Sequence, residues 1–425
     1  MDTQLNNKEF DAIVVGSGPG GATVARELSK RKKTVLILER GDDGPLNEGF
    51  RTIAAILNTV SVSDNIESAR AFATGGTTAV YFAVADSPPL DMFLSLGIDI
   101  SKDLEQSKRE LPLAVLPDGL LNPQAIRVRE SAIDLGYAWE KKPMLVDLSK
   151  CSSGYSYESK WNARSFLHEA VEQGAILRSR ARVLRVLVDK NKAIGVEYDF
   201  RKGKKEHEVR QAFGARIILA AGASASPIIL RDSGVRHIAN AGFYCHPSFG
   251  VFGTVSGLKA GENFVGSMGA KLEDDIGLGD ANFGRILHRM SMLASRRFIR
   301  AFCHSRSIGV GVMVKEGLGG GLQADGRYYK QLKKEDLKKL EKAEYMARQI
   351  IQNAGGKHIF KSSLGSAHMG GTIRIKEHLD ANLQTEYSNL HVCDASVIPE
   401  NAKIAPALTL VCLGKYLANR LMSTL

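Results

Sequence analysis

The stretch FDAIVVGSGPGGATVARELSKRKKTVLILERG, residues 10–41, decides the fold. It opens on a short apolar run, Ala12 to Val15, that reads as a buried strand, and passes Gly16, Gly18 and Gly21. A helical stretch from Ala22 to Lys30 follows, and a second apolar strand ends at Glu39. Each part has a physical reason. Gly16 permits a tight turn, Gly18 lets a pyrophosphate approach the backbone, and Gly21 lets helix and strand pack closely. The helix start offers free N–H groups and a partial positive charge to phosphates. Glu39, eighteen residues after Gly21, is placed to accept hydrogen bonds from ribose hydroxyls. Strand, glycines, helix, strand and acid in this order predict a dinucleotide site, and the acid favours an unphosphorylated ribose, as in FAD or NAD.

The remaining composition narrows the class. With 425 residues, 44% hydrophobic and 24% charged, the chain reads as globular, with about two or three domains. Its start, MDTQLNNKEFDAIVVG, lacks the basic and apolar parts of a signal peptide, and no run approaches the roughly 18 apolar residues of a bilayer span. A cytoplasmic location is the expectation. The five cysteines, Cys151, Cys245, Cys303, Cys393 and Cys412, lie far apart without a CxxC, which argues against a disulfide framework or a metal centre. The net charge of +11 resides largely in runs such as RKGKKEHEVR (201–210), a predicted hairpin turn.

Four further segments resolve the cofactor. RAFATGGTTAVYF (70–82) sets Gly75 and Gly76 before Thr77 and Thr78. GARIILAAGASASPIILRDSGV (214–235) runs from a buried strand through a small-residue turn, with Ala221 and Gly222, into a proline and a helix. SAHMGGTIRI (366–375) sets His368 before a glycine pair, and NLHVCDASVIPENAKIAPALTLVCLGKYLANRL (389–421) is a strand, an Asp-Ala-Ser turn and a helix. Together these resemble the glucose-methanol-choline (GMC) family of FAD-dependent oxidoreductases. Gly222, Ser226, Pro227, Ser233 and Gly234 match the family's middle segment, while Arg236 stands where its last glycine is expected.

The resemblance implies an α/β protein: a Rossmann-like FAD domain built from noncontiguous segments (1–85, 155–247 and 380–425) and an α+β substrate domain with a mainly antiparallel sheet (86–154 and 248–379). Gly75 to Thr78 would lie against pyrophosphate and flavin, Val183 would offer backbone to adenine, and Asp394 and Ala395 would contact the ribityl or phosphate region. The helix opening at Pro406 and Ala407 would point its positive end at the flavin. FAD is expected to be noncovalent, because the first histidine after the glycine pair at 75–76 is His168.

His368 takes the position of the family's catalytic histidine, whose imidazole suits proton removal near neutral pH. The family's second polar residue falls on Ala405, and its asparagine after the first glycine pair falls on Tyr81. Tyr81 is the first substitute to consider, and Asn401 a weaker one. His246, in CHPSFGVFG, reads as a supporting residue. HRMSMLASRRFIRAF reads as a basic amphipathic helix with Met290, Ala294, Phe298 and Phe302 on one buried stripe, which leaves open a membrane-surface or acidic-partner contact through 289–302.

The expected function is FAD-dependent oxidation of a CH–OH group, by a dehydrogenase in preference to an oxidase. A reductase or desaturase of activated C=C bonds and a flavin-binding electron-transfer or scaffold protein are the alternatives. A small-molecule substrate, a separate electron acceptor, no nucleic acid and no metal are expected, with a homo-oligomer left open.

Overall fold

The structure, a computed structural model, describes residues 9–203, 206–235, 237–273, 275–400, 402 and 404–423. The opening stretch forms β1 (Ala12–Val15), α1 (Pro19–Lys30) and β2 (Val35–Leu38). With β3 (Ile176–Arg178), β4 (Ile217–Leu219) and β5 (Leu390–Val392) they make a parallel sheet in the order β5-β4-β1-β2-β3. Every residue of β1, β2, β4 and β5 is buried, and β1, β2 and β4 are uninterrupted apolar runs because both sheet faces are covered. The C-terminal helix α2 (Ala407–Met422) packs against α1. The approach is close: a Cβ on Gly414 would sit 2.7 Å from Thr23 Cβ, and one on Gly20 2.1 Å from the Cys393 carbonyl oxygen.

An antiparallel meander, Ala181–Asp189, Lys192–Arg201 and His207–Gly214, flanks this sheet. A larger, nine-stranded sheet among the described residues is centred on Pro247–Thr254, which pairs antiparallel with Ser307–Val314 and Lys357–Lys361. The helix Lys334–Asn353 packs on it. The hairpin Leu57–Ser63 and Ile66–Ala71 also joins this sheet, through Gly365–Ser366. The expected division had placed 57–71 with the nucleotide-binding segments. Its pairing is made with a strand some 300 residues away, and nothing local records it.

The stretch 285–302 departs from expectation. Instead of one amphipathic helix, a helix Arg285–Ala294 ends at Ser295, Arg296 turns with φ +56°, and a 3-10 helix Phe298–Phe302 follows. Phe298 and Phe302 are exposed, and the buried residues are His288, Met292 and Ala301. The left-handed turn at Arg296 breaks the helical period that would have put the two phenylalanines beneath the helix. Among the described residues no helix is long and apolar enough to cross a membrane.

Candidate active site

A single cavity of about 1360 Å³ runs from the β1–α1 turn to the nine-stranded sheet. At its first end lie Gly16, Ser17, Gly18 and Glu39. Gly16 adopts φ +98°, and a Cβ there would strike the Ala220 carbonyl oxygen at 2.3 Å. Gly18 is different, because its Cβ would meet nothing within 4 Å: bare backbone faces the cavity. Gly21 lies behind the wall, where its missing Cβ makes room for Gly16 O, as the helix–strand packing requires. The α1 N-terminus has no side-chain cap, and neither has α2, whose start at Pro406 and Ala407 lines the same cavity. Both helices therefore leave first-turn donors for an anionic or carbonyl group.

Two buried carboxylates hold the walls. Glu39 accepts from Ser17 N (3.0 Å), Ser17 Oγ (2.5 Å) and Gly41 N (2.6 Å), and burial pushes its pKa up against these bonds. Asp394 accepts from Gly222 N (3.0 Å), Ser226 Oγ (2.5 Å), Ser396 N (2.9 Å) and Ser396 Oγ (2.5 Å), so one side chain ties the β4 and β5 turns together. Ala221, Gly222, Asp394, Ala395 and Val183 all line the cavity. Gly76, Thr77 and Thr78 line it too, whereas Gly75 stands behind, its N–H donating to Ser17 Oγ at 3.1 Å. Thr78 Oγ1 is engaged within the wall, donating to Gly75 O (2.6 Å) and accepting from Ala163 N (3.1 Å).

The second end holds the histidines. Residues 365–370 run antiparallel to 244–248: Pro247 pairs with Ser366, Ala367 N donates to His246 O (3.1 Å), and Tyr244 bridges Gly370. This register sets His368 across from His246, with their Nδ1 atoms 3.2 Å apart. The glycine pair serves this approach, since a Cβ on Gly370 would lie 2.2 Å from Tyr244 Oη and one on Gly371 2.2 Å from Gly242 O. Part of the His368 ring faces the cavity while most of it is enclosed, and burial depresses its pKa to about 4 despite the Asp86 charge. The strand carrying His246 is pinned by a buried pair. Glu316 Oε1 accepts from Cys245 N (2.6 Å), and Lys330 Nζ, 3.7 Å from Glu316, donates to Phe243 O (2.9 Å).

Around the position of Ala405 the structure gathers charges that no local motif announces. Asp86 Oδ2 accepts from Ala405 N (2.9 Å), and Asp86 Oδ1 pairs with Lys271 Nζ (3.0 Å). Lys142 lines the cavity, with its charge opposed by burial and supported by Asp86 and Asp280. Asp280, bonded to Met268 N (2.8 Å), is pushed up to about 6 by burial. These residues come from separate strands and loops, so only sheet register could have revealed them. Tyr81, expected as a substrate donor, lines the cavity, but its hydroxyl donates to Trp161 O (2.5 Å) and burial raises its pKa. Its one O–H is spent within the wall, which removes it as the substitute for the missing polar group. Asn401 and Arg236 lie outside the described residues.

The GMC oxidoreductase family profile matches residues 109–270, and an NAD(P)-binding Rossmann-like profile matches 14–44. An uncharacterized GMC-type oxidoreductase of Mycobacterium tuberculosis is 27% identical over 53% of the chain, an alignment that spans 39% of that relative. A long-chain-alcohol oxidase of Arabidopsis thaliana is 22% identical over 98% of the chain and 68% of its own length. Pyridoxine 4-oxidase from Mesorbium loti superposes with a TM-score of 0.74 over 97% of this chain and 99% of that one, at 15% identity, a likeness of fold. Fold and cavity together are those of a dinucleotide-binding α/β protein. Over residues 109–270 the chain is similar to the GMC oxidoreductase family. FAD is the cofactor that family and cleft share, and the bare backbone at Gly18, the two uncapped helix starts and the cavity volume fit it.

Proposed function

We propose that the protein oxidises a CH–OH group, with His368 as the base. The supporting observation is the His246–His368 pair on the wall of the cofactor cavity. With Nδ1 of His368 engaged by His246, Nε2 is the ring nitrogen left for substrate. Burial keeps the ring neutral at physiological pH, so its lone pair can accept the hydroxyl proton. FAD, when bound, supplies the acceptor for the electron pair that leaves the carbon as hydride. Lys142, whose pKa burial lowers, donates to the substrate oxygen in place of the polar residue absent at Ala405. Asp86 fixes the Ala405 backbone beside it. The relatives named oxidases favour oxygen as the final acceptor, against the dehydrogenase preferred from sequence.

The test is anaerobic flavin bleaching of the purified yellow protein by a panel of primary and secondary alcohols, followed by air. Bleaching that His368→Ala abolishes, with rapid recovery of colour in air, supports the reading. Oxidation of chemically reduced flavin by an enone, without bleaching by any alcohol, replaces it with the C=C reductase.

A further inference from the structure

We propose that the surface of residues 283–306 docks the protein on an anionic lipid bilayer and opens the catalytic cavity toward it. Residues 281–315 contain six arginines, one lysine and no carboxylate. Among the arginines stand large apolar side chains that the protein leaves in solvent: Phe298 is 64% exposed, Ile299 82%, Phe302 79% and Leu293 48%. Arg285, Arg289, Arg296, Arg297 and Arg306 are exposed beside them, and the Arg289 guanidinium lies 5.9 Å from the Phe302 ring centre.

The patch is held firmly from beneath. His288 Nε2 meets Arg300 O at 3.0 Å and His304 Nε2 meets Phe283 O at 3.1 Å, with Met292 and Ala301 buried between the two short helices. The exposed residues are thus displayed by a packed support. The inner side of the same segment is part of the cavity wall. Phe283, Gly284, Ile286 and Leu287 line it, and Phe283 stacks at 5.9 Å on Phe82, a cavity residue that is itself 40% exposed.

Charge complementarity selects the partner. Arginines near an anionic leaflet are attracted to it, and apolar side chains at the same level gain by entering the acyl boundary. A nucleic acid would engage the arginines and could stack on the phenylalanines, but it offers nothing to an aliphatic side chain as exposed as Ile299. Granted the oxidation proposed above, the substrate class is an apolar alcohol that partitions into the bilayer and passes along Ile286 and Leu287 to the histidines.

Flotation of the FAD-loaded protein with vesicles tests the docking without any turnover. The expected result is binding to equal parts phosphatidylglycerol and phosphatidylcholine, little binding to phosphatidylcholine alone, and weakening as salt rises. The combined variant Phe298→Ser, Ile299→Ser and Phe302→Ser should bind the mixed vesicles at least about tenfold more weakly while keeping its flavin absorbance and its retention on heparin. Equal vesicle binding by variant and parent overturns the proposal, as does an absence of binding by the parent. A parent dimer that the variant converts to monomer also overturns it, because a second copy would then be the occupant. Absence of alcohol bleaching alongside normal vesicle binding would fail the catalytic reading and leave the docking intact.

Discussion

The Nδ1 atoms of His246 and His368 face each other at 3.2 Å, and this contact fixes more than position. Two neutral imidazoles can share such a contact only if one donates and the other accepts. For His368 Nε2 to carry a lone pair, His368 must donate from Nδ1, and His246 must accept. Replacing His246 by Leu therefore frees the tautomer of His368. The expected outcome is a fall in kcat of about tenfold with KM little changed, the size of one hydrogen bond's net contribution. Steady-state kinetics check it, and a change confined to KM would mean that His246 acts only by shape.

On the reading proposed above, the half-buried position of His368 sets the pH range of activity. A base with its pKa lowered to about 4 is already neutral at pH 5, so kcat/KM should hold level from pH 8 down to about 5 and fall as pH approaches about 4. The sign follows from the direction of the shift: protons inactivate the base, and burial delays their binding to lower pH. An inflection near the ordinary histidine value of about 6.5 would contradict this. His368→Ala should lower kcat by about 10²–10⁴-fold at pH 7.

Gly18 and Gly16 separate cofactor binding from folding. In Gly18→Ala the new methyl enters open cavity, so the apoprotein should unfold within about 0.5 kcal/mol of the parent. Overpacking against the cofactor should weaken FAD binding by about tenfold or more, read by flavin fluorescence titration. Gly16→Ala meets backbone at 2.3 Å with φ +98°, and should lower the apoprotein's thermal midpoint. Equal stability loss in both variants would show that Gly18 is structural.

Lys142→Met should lower kcat/KM for the best alcohol by about 10–100-fold, the range for a hydrogen bond to a charged group, with FAD affinity unchanged. Lys142→Arg should recover part of it. If Met and Arg variants behave as the parent, the oxygen donor lies elsewhere.

Much of the first end of the cavity was legible in sequence because its elements are local. A strand, three glycines, a helix and an acid within 10–41 each follow from backbone geometry over a few residues. The position of His368 was legible only through resemblance. Its partner His246 was read as supporting, because their meeting depends on the register of 244–248 against 365–370. Asp86, Lys142, Lys271 and Asp280 left no signal for the same reason, being lone charges in unrelated segments. The helical period misled at 296, where one left-handed residue turned an expected buried stripe outward.

The parallel sheet has its own consequence for how the protein is made. Its first-formed strands, β1 and β2, are completed early in synthesis, but β5 and α2 come from residues 390–422. Asp394, which bonds Gly222 and Ser226, reaches its partners only once the 172 residues that separate it from Gly222 have been made. At elongation rates of about 5–20 residues per second, the nascent N-terminal segment exposes its apolar strands for many seconds before the site can close. FAD added during translation thus finds no complete cleft until β5 and α2 arrive, and the cofactor becomes a selective ligand of the chain that carries both.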